Sequence, residues 1–114
     1  MDLRLDVTER SGWSVLRVGG EIDVATAPRL REQLITLVNE QRYHLVVDLT
    51  DVDFLDSTGL GVLIGALKRV RTHEGDLRIV ATANRVVKVF DITGLDQVFS
   101  IHPDLDSALP ATES

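Results

Sequence analysis

A run of six residues near the middle of the chain, HLVVDL at 44–49, constrains the fold more than any other segment. Four of these residues are apolar and follow one another with little alternation, and Asp48 is the single carboxylate among them. A strand with one buried face alternates apolar and polar side chains, so this run indicates a strand covered on both faces. Such strands pair in parallel in α/β folds, and the run therefore predicts a parallel sheet in which Asp48 has a structural role.

The N-terminal segment has a different pattern. Apolar residues alternate with charged or polar ones over residues 3–9, which is typical of a strand with one buried face. Ser11-Gly12 marks a turn, and a second apolar segment follows it. Residues 3–9 and 13–19 are therefore predicted to form an antiparallel hairpin.

Two helices are predicted on either side of the apolar run. Thr26 can cap the first helix, and Pro28 is tolerated in the first turn because its missing N–H would have been unpaired anyway. Leucines at helical spacing form one apolar stripe, so we expect this helix to continue to about Asn39. After the central strand we expect an acidic loop at 50–56, and then a second helix capped by Ser57.

The C-terminal third is predicted to contain shorter elements. We expect a strand at Leu77–Ala81, a short helix that is capped by Asn84 and ends at Gly94, a brief strand at Val98–Ile101, and one or two helical turns at 103–109. Strands that alternate with helices after a hairpin indicate an α/β sandwich. The expected architecture is a mixed sheet of four to five strands with an N-terminal hairpin, packed against about four helices.

Length and composition exclude several classes of protein. The 114 residues fit one domain, with a core at about 3–109 and a frayed tail at 110–114. The absence of cysteine excludes a disulfide scaffold and thiolate chemistry and fits a reducing compartment. A net charge of −6 argues against nucleic acid as a partner. No uninterrupted apolar stretch suggests export or a membrane anchor, so we expect a cytoplasmic protein.

Most of the chemistry-bearing residues lie in VVDLTDVDFLDSTGLGVLI, which begins at Val46. Three aspartates follow the buried strand and precede Ser57. Gly59 and Gly61 lie in the first turns of the second helix, where alanine would be more stable by about 0.8–1 kcal/mol per site. Either a close approach by another group or tight packing of the helix on the sheet would explain them.

Two elements of the chain together resemble a known family. GEIDVATAPRLREQL, which begins at Gly20, and VVDLTDVDFLDSTGLGVLIGALKR are similar to the STAS domain in its bacterial form, the anti-sigma factor antagonist. The resemblance covers residues from about 3 to 109. The pairing of G-E-[IL]-D-x-x-[ST]-A-P with D-S-x-G-L-G is far more specific than either element alone, and it implies a STAS-type α/β fold.

The resemblance implies a regulatory cycle and no catalysis by this chain. In that cycle the unphosphorylated antagonist binds an anti-sigma factor with a histidine-kinase-like ATPase fold, and the sigma factor is released. The anti-sigma factor is also the serine kinase, and a PPM-type serine phosphatase reverses its action. No cofactor and no metal are implied. A homodimer is left open, as is an alternative role in a stressosome-like complex, as a scaffold or phosphosignalling component that does not directly control a sigma factor.

By position, Ser57 is the phosphoacceptor that the resemblance implies. Thr58 is the second choice, because it supplies a second hydroxyl that could accept phosphate at a position where many relatives carry Ser or Ala. Asp23 matches a family residue that lies beside the serine and the partner surface. A phosphate would add about −1.5 to −2 charges next to Asp53 and Asp56, so we expect repulsion at the interface. The predicted partner-binding residues are Asp23, Thr26, Asp56, Ser57, Thr58, Gly59 and Leu60.

Simpler structural interpretations stand beside these functional ones. Ser57 could be a plain helix cap, and Asp23 could be a turn residue. A basic cluster near the end of the second helix fits a solvated face at the negative end of the helix dipole. This cluster consists of Lys68, Arg69, Arg71 and His73.

Two other protein classes would use the same residues. A hydrolase would pair Ser57 with a histidine, but the serine lies outside G-x-S-x-G and no motif links it to the histidines. A receiver-like phosphoaspartate switch could hold Mg²⁺ on the aspartates, but Lys88 falls on a predicted helix and the first strands form a hairpin. The histidines are His44, His73 and His102, and the aspartates are Asp51, Asp53 and Asp56.

Overall fold

The computed structural model describes residues 3–110, so the predicted frayed tail at 110–114 lies almost entirely outside the described residues. The strands are β1 (Arg4–Arg10), β2 (Trp13–Ile22), β3 (His44–Leu55), β4 (Asp76–Val80) and β5 (Ser100–His102). The helices are α1 (Ala27–Asn39), α2 (Ser57–Arg71), α3 (Asn84–Ile92) and α4 (Leu105–Ala108), with a short 3₁₀ helix at Leu95–Gln97.

The sheet has five strands in chain order. β1 pairs with β2 in antiparallel orientation, and each later strand is parallel to the one before it. The predicted hairpin and mixed sheet are therefore confirmed. Ser11 and Gly12 connect β1 to β2 with φ angles of 56° and 81°, the left-handed backbone that a two-residue hairpin requires.

The central strand is covered on both faces, as its apolar run predicts. Leu45 and Val47 pack in the main core with α1, α2 and α3, and both side chains are 0% exposed. Val46 points to the opposite face, where a smaller apolar cluster beneath α4 includes Trp13 and Val80. Three helices therefore cover one face of the sheet, and α4 lies on the other face.

The acidic loop predicted at 50–56 is wrong, because β3 continues to Leu55. Its second half pairs with β2 through contacts such as Gly19 with Asp51. Two register shifts, after Arg17 and after Gly20, each place one additional residue in β3. Such bulges break the period-two pattern of a strand, so the sequence of this segment resembles a loop.

Two predicted helix caps are also wrong. Asp56, not Ser57, is the N-cap of α2, and its side chain accepts hydrogen bonds from backbone N–H groups of the first turn. Ala83 precedes α3 in extended backbone, so Asn84 is already helical and does not cap. Thr26 does occupy the N-cap position of α1, but its side chain makes no capping hydrogen bond.

The remaining bounds differ from the predictions by small shifts. β2 extends three residues further, to Ile22, because β3 continues beside it. The last strand begins at Ser100, since the chain first turns through the 3₁₀ helix. Within residues 3–110, no helix has the length and apolar character that a bilayer span needs.

Candidate functional site

The predicted site residues come from two segments that meet at one edge of the sheet. β2 and β3 are parallel neighbours, and Ile22 pairs with Leu55 at the ends of both strands. The backbone N–H of Asp56 donates to the carbonyl oxygen of Ile22 at 3.2 Å. The turn after β2 and the start of α2 therefore lie side by side, although they are more than thirty positions apart in the sequence.

The turn between β2 and α1 is closed by its own side chains. Oδ1 of Asp23 accepts hydrogen bonds from the N–H groups of Ala25 at 2.9 Å and Thr26 at 3.0 Å. The Thr26 hydroxyl donates to the carbonyl oxygen of Glu21 at 2.7 Å and accepts from the N–H of Asp23 at 3.0 Å. The bond from the Thr26 N–H, above all, holds the pKa of Asp23 below its usual value.

The junction between β3 and α2 is also closed by an aspartate that accepts two backbone hydrogen bonds. Oδ1 of Asp56 accepts hydrogen bonds from the N–H groups of Thr58 at 2.9 Å and Gly59 at 3.3 Å. Ser57 is the first residue of α2 and is exposed, as is Thr58. Among the hydrogen bonds of residues 3–110, none involves the hydroxyl of Ser57 or of Thr58. Both hydroxyl groups are open to another protein.

The two glycines of this helix have different explanations. A Cβ on Gly59 would lie 2.5 Å from a side-chain carbon of Ile22 and 2.6 Å from one of Leu55. Gly59 is therefore required by tight packing of α2 against the ends of both strands. A Cβ on Gly61 would meet nothing within 4 Å, so packing inside the chain does not explain that glycine.

The seven predicted partner-binding residues differ in accessibility. Ser57 and Thr58 are exposed, while Asp23 and Asp56 are partly buried. Thr26, Gly59 and Leu60 are buried, so a part for them in partner binding would act through the shape of the surface. Their assignment stays a prediction.

Two exposed apolar residues beside the site were missed by the sequence analysis. Val24, at the tip of the β2–α1 turn, is 73% exposed, and Phe54, near the end of β3, is 41% exposed. Each directly follows an aspartate, Asp23 or Asp53, and that signal could have drawn attention to them. Large exposed apolar side chains beside a functional site are typical of protein interfaces.

The aspartates do not form a metal site. Asp51 lies 3.6 Å from the guanidinium of Arg17, and the carbonyl oxygen of Asp53 is 3.4 Å from Nη1 of Arg85. Within residues 3–110, no three His, Asp or Glu side chains are close enough together to hold a metal ion. Asp48 is buried and accepts a hydrogen bond from the N–H of Thr50, which fits a structural role.

The histidines lie away from Ser57. The His44 ring packs edge-on against Trp13 with centroids 5.1 Å apart, at the opposite end of β3. His73 stacks on Tyr43 at 4.1 Å, beyond the C-terminal end of α2 and its basic residues. The ring of His102 shares a hydrogen bond of 2.6 Å with the Ser100 hydroxyl. None of the hydrogen bonds among the described residues joins a histidine to Ser57.

Comparisons with known proteins indicate one family. The STAS domain family model matches residues 4–108. An anti-sigma-B factor antagonist of Bacillus subtilis is 41% identical over 101 residues, covering 89% of this chain and 92% of the relative. One from Staphylococcus epidermidis is 34% identical over 102 residues, covering 90% and 94%.

A solved structure gives the same result for the fold. The crystal structure of an anti-sigma factor antagonist from Mycobacterium paratuberculosis matches with a TM-score of 0.87 and 34% identity, covering 94% of this chain and 91% of that one. The family model spans nearly the whole chain, and the relatives align along nearly their full lengths. This protein therefore belongs to the STAS domain family.

Proposed function

We propose that this protein is an anti-sigma factor antagonist that is switched by phosphorylation of Ser57. The unphosphorylated form binds an anti-sigma factor in the cytoplasm and releases the sigma factor. The anti-sigma factor has a histidine-kinase-like ATPase fold and phosphorylates Ser57, after which the complex separates. A PPM-type serine phosphatase returns the antagonist to its binding form.

The observation that carries the proposal is the state of the Ser57 hydroxyl. It is exposed at the first residue of α2, and Asp56 has already taken the capping role that would otherwise occupy it. A hydroxyl that no fold-stabilising bond requires can accept a phosphate without loss of the fold. The exposed apolar side chains of Val24, in the adjacent β2–α1 turn, and Phe54, three residues before Ser57, supply contact area for a protein partner.

The charge of the surroundings explains how phosphate would break the complex. A phosphate at Ser57 adds about −1.5 to −2 charges at pH 7. The carboxylate of Asp56 already accepts hydrogen bonds from two N–H groups of the first helical turn, those of Thr58 and Gly59, so the phosphate would not be fully neutralised there. Interfaces lose several kcal/mol when like charges meet. The switch would therefore act at the interface without refolding the domain.

Calorimetry with purified ATPase-type anti-sigma factors from the organism of origin tests the binding step. Wild type and Ser57→Ala should bind one of them equally, and Ser57→Asp should bind about tenfold or more weakly, a loss of at least about 1.4 kcal/mol. Thr58→Val is the matched control at the adjacent hydroxyl and should bind like wild type. Equal binding of Ser57→Asp and wild type would contradict the switch.

Peptide mass spectrometry after incubation with ATP and the same anti-sigma factor tests the phosphoacceptor. Wild type and Thr58→Val should gain one phosphate, and Ser57→Ala should gain none. A stoichiometric phosphate on Ser57→Ala would move the site to Thr58 or elsewhere. If the protein binds no anti-sigma factor but enters a large complex with other STAS proteins, the scaffold alternative would replace this proposal.

Two further parts of the cycle need separate measurements. Release of phosphate from phosphorylated Ser57 by a PPM-type phosphatase would be followed by the same mass shift. Sedimentation of the protein alone would test whether it forms a homodimer, which stays a prediction.

A further inference from the structure

A continuous groove runs between α1 and α2 on the outer side of the helical layer. Its wider part, about 570 Å³, begins at Val24 and Thr58 beside the proposed phosphorylation site. Its narrower part, about 160 Å³, continues along α2 to Arg69. Arg31, Ile35 and Val62 line both parts and join them.

We infer that this groove receives an α-helix of the anti-sigma factor, with an apolar face and acidic residues at its edges. The inference rests on the proposed function and extends its interface from the phosphorylation site along α2. Amphipathic helices bind apolar grooves of this kind through residues spaced by three or four positions.

The charge of the groove favours an acidic occupant. Arg31 and Arg69 are exposed on its walls, and no salt bridge among residues 3–110 involves either of them. Glu32 is the single carboxylate among the described lining residues. This excess of positive charge contrasts with a chain whose net charge is −6. Guanidinium groups pair well with carboxylates, so acidic residues on the partner helix would complement these positions.

The same charges disfavour a second copy of this chain as the occupant. A two-fold symmetric dimer brings the same patch of both copies together. Such a dimer through this groove would place two copies of Arg31 and two of Arg69 in one interface. Like charges in an interface are unfavourable, so a different chain fits the groove better.

The helix backbone supports close approach from outside. Gly61 and Gly65 lie one turn apart and line the narrower part, and a Cβ on either would meet nothing within 4 Å. The space beside them therefore lies within the groove and is not occupied by the chain's own core. Gly65 follows Ser57 by eight positions, about 12 Å along the helix axis, so a change there tests the groove separately from the serine.

The first test fills the groove with a larger side chain and measures binding of the anti-sigma factor that calorimetry has identified. Gly65→Leu should fold with an unfolding midpoint equal to or above that of wild type, since leucine favours helix over glycine. Its affinity for the anti-sigma factor should fall at least tenfold. Gly65→Ala is the matched control, which gains helix preference but adds only one methyl group, and it should bind within about threefold of wild type.

Reversing charge is the second test. Arg69→Glu should weaken binding about tenfold at low salt and less at high salt, because the lost contact is electrostatic. Lys68→Glu, an equal change on the adjacent residue outside the groove lining, should have little effect. Equal behaviour of both variants, together with unchanged binding of Gly65→Leu, would overturn the groove proposal.

The outcomes separate this proposal from the function on which it rests. If wild type binds the anti-sigma factor, Ser57→Asp does not, and Gly65→Leu and Arg69→Glu bind like wild type, only the groove proposal fails. If wild type binds no anti-sigma factor, both proposals fail. If a solution dimer forms and Gly65→Leu disrupts it, the occupant is a second copy, and the proposed partner is wrong.

Discussion

The two turns that meet at the site are built alike, but they leave their hydroxyl groups in opposite states. In each turn one carboxylate oxygen accepts hydrogen bonds from two backbone N–H groups, and the carboxylate belongs to Asp23 after β2 and to Asp56 after β3. Thr26 is 6% exposed, and its hydroxyl makes hydrogen bonds to the backbone. The Ser57 hydroxyl is exposed and makes none among the described residues.

Position relative to the aspartate explains the difference. Thr26 follows Asp23 by three residues, so its side chain turns back toward the carbonyl oxygen of Glu21. Ser57 follows Asp56 by one residue, and its side chain lies outside the capped turn. The same turn geometry therefore gives a hydroxyl that stabilises the fold at Thr26 and a hydroxyl that is free to react at Ser57.

Removal of the two hydroxyl groups tests this contrast most directly, and it should produce the largest difference in the free energy of unfolding. Thr26→Val should lower the free energy of unfolding by about 1–3 kcal/mol, because buried backbone groups lose their partner. Ser57→Ala should change it by less than about 0.5 kcal/mol, as an exposed substitution without a bond to lose. Denaturation in urea measures both. Equal losses in the two variants would show that the hydroxyl of Ser57 also supports the fold.

The second-largest effect on stability should come from the glycines of α2, the helix that packs against the ends of β2 and β3. Gly59→Ala should destabilise by about 1–2 kcal/mol, because the cost of overpacking against Ile22 and Leu55 exceeds the gain in helix preference. Gly61→Ala, two residues later in open space, should stabilise by up to about 1 kcal/mol. Thermal unfolding of both variants would show opposite shifts. A stabilising Gly59→Ala would mean that the strand ends can move apart at little cost.

Replacement of the two aspartates sharpens the contrast further. Asp56→Ala should cost about 1 kcal/mol through the loss of the backbone acceptor, and Asp23→Ala should also lower the free energy of unfolding. Asp23→Asn retains that acceptor and should lower the free energy of unfolding less than Asp23→Ala does in the same urea titration.

The asparagine variant also separates the two interpretations of Asp23. If Asp23 only shapes the turn, Asp23→Asn should bind the anti-sigma factor as wild type does, and Asp23→Ala should bind more weakly. A loss of binding in Asp23→Asn at unchanged stability would instead show that its charge contacts the partner.

The smallest effect is that of pH on the β2–α1 turn. The pKa of Asp23 lies below the usual 3.8, chiefly because the N–H of Thr26 donates to the carboxylate. A lowered pKa gives stability that is fully present above pH 3.8 and is lost as pH falls through the folded-state value. The amide NMR signals of Ala25 and Thr26 should titrate with a midpoint below 3.8. A midpoint at or above that value would contradict the turn geometry.

Local patterns in the sequence predicted most of the fold. The hairpin, the parallel central strand and the first helix to Asn39 are confirmed, because each depends on periodicity or on turn residues that act over a few positions. The second half of β3 was missed because two bulges disrupt its alternation. The cap of α2 was placed one residue late, because Asp56 and Ser57 are adjacent and both are favourable cap residues.

The two sequence motifs identified the segments that form the site. The tertiary structure decided which of their side chains are exposed, buried or in close contact. Pairing of β2 with β3 joins the segments, and no local pattern encodes that pairing. The exposure of Val24 and Phe54, the burial of Thr26 and the open space beside Gly61 depend on neighbours distant in the sequence. Periodicity and turn chemistry are properties of a few consecutive residues, whereas accessibility and close approach exist only after the chain has packed.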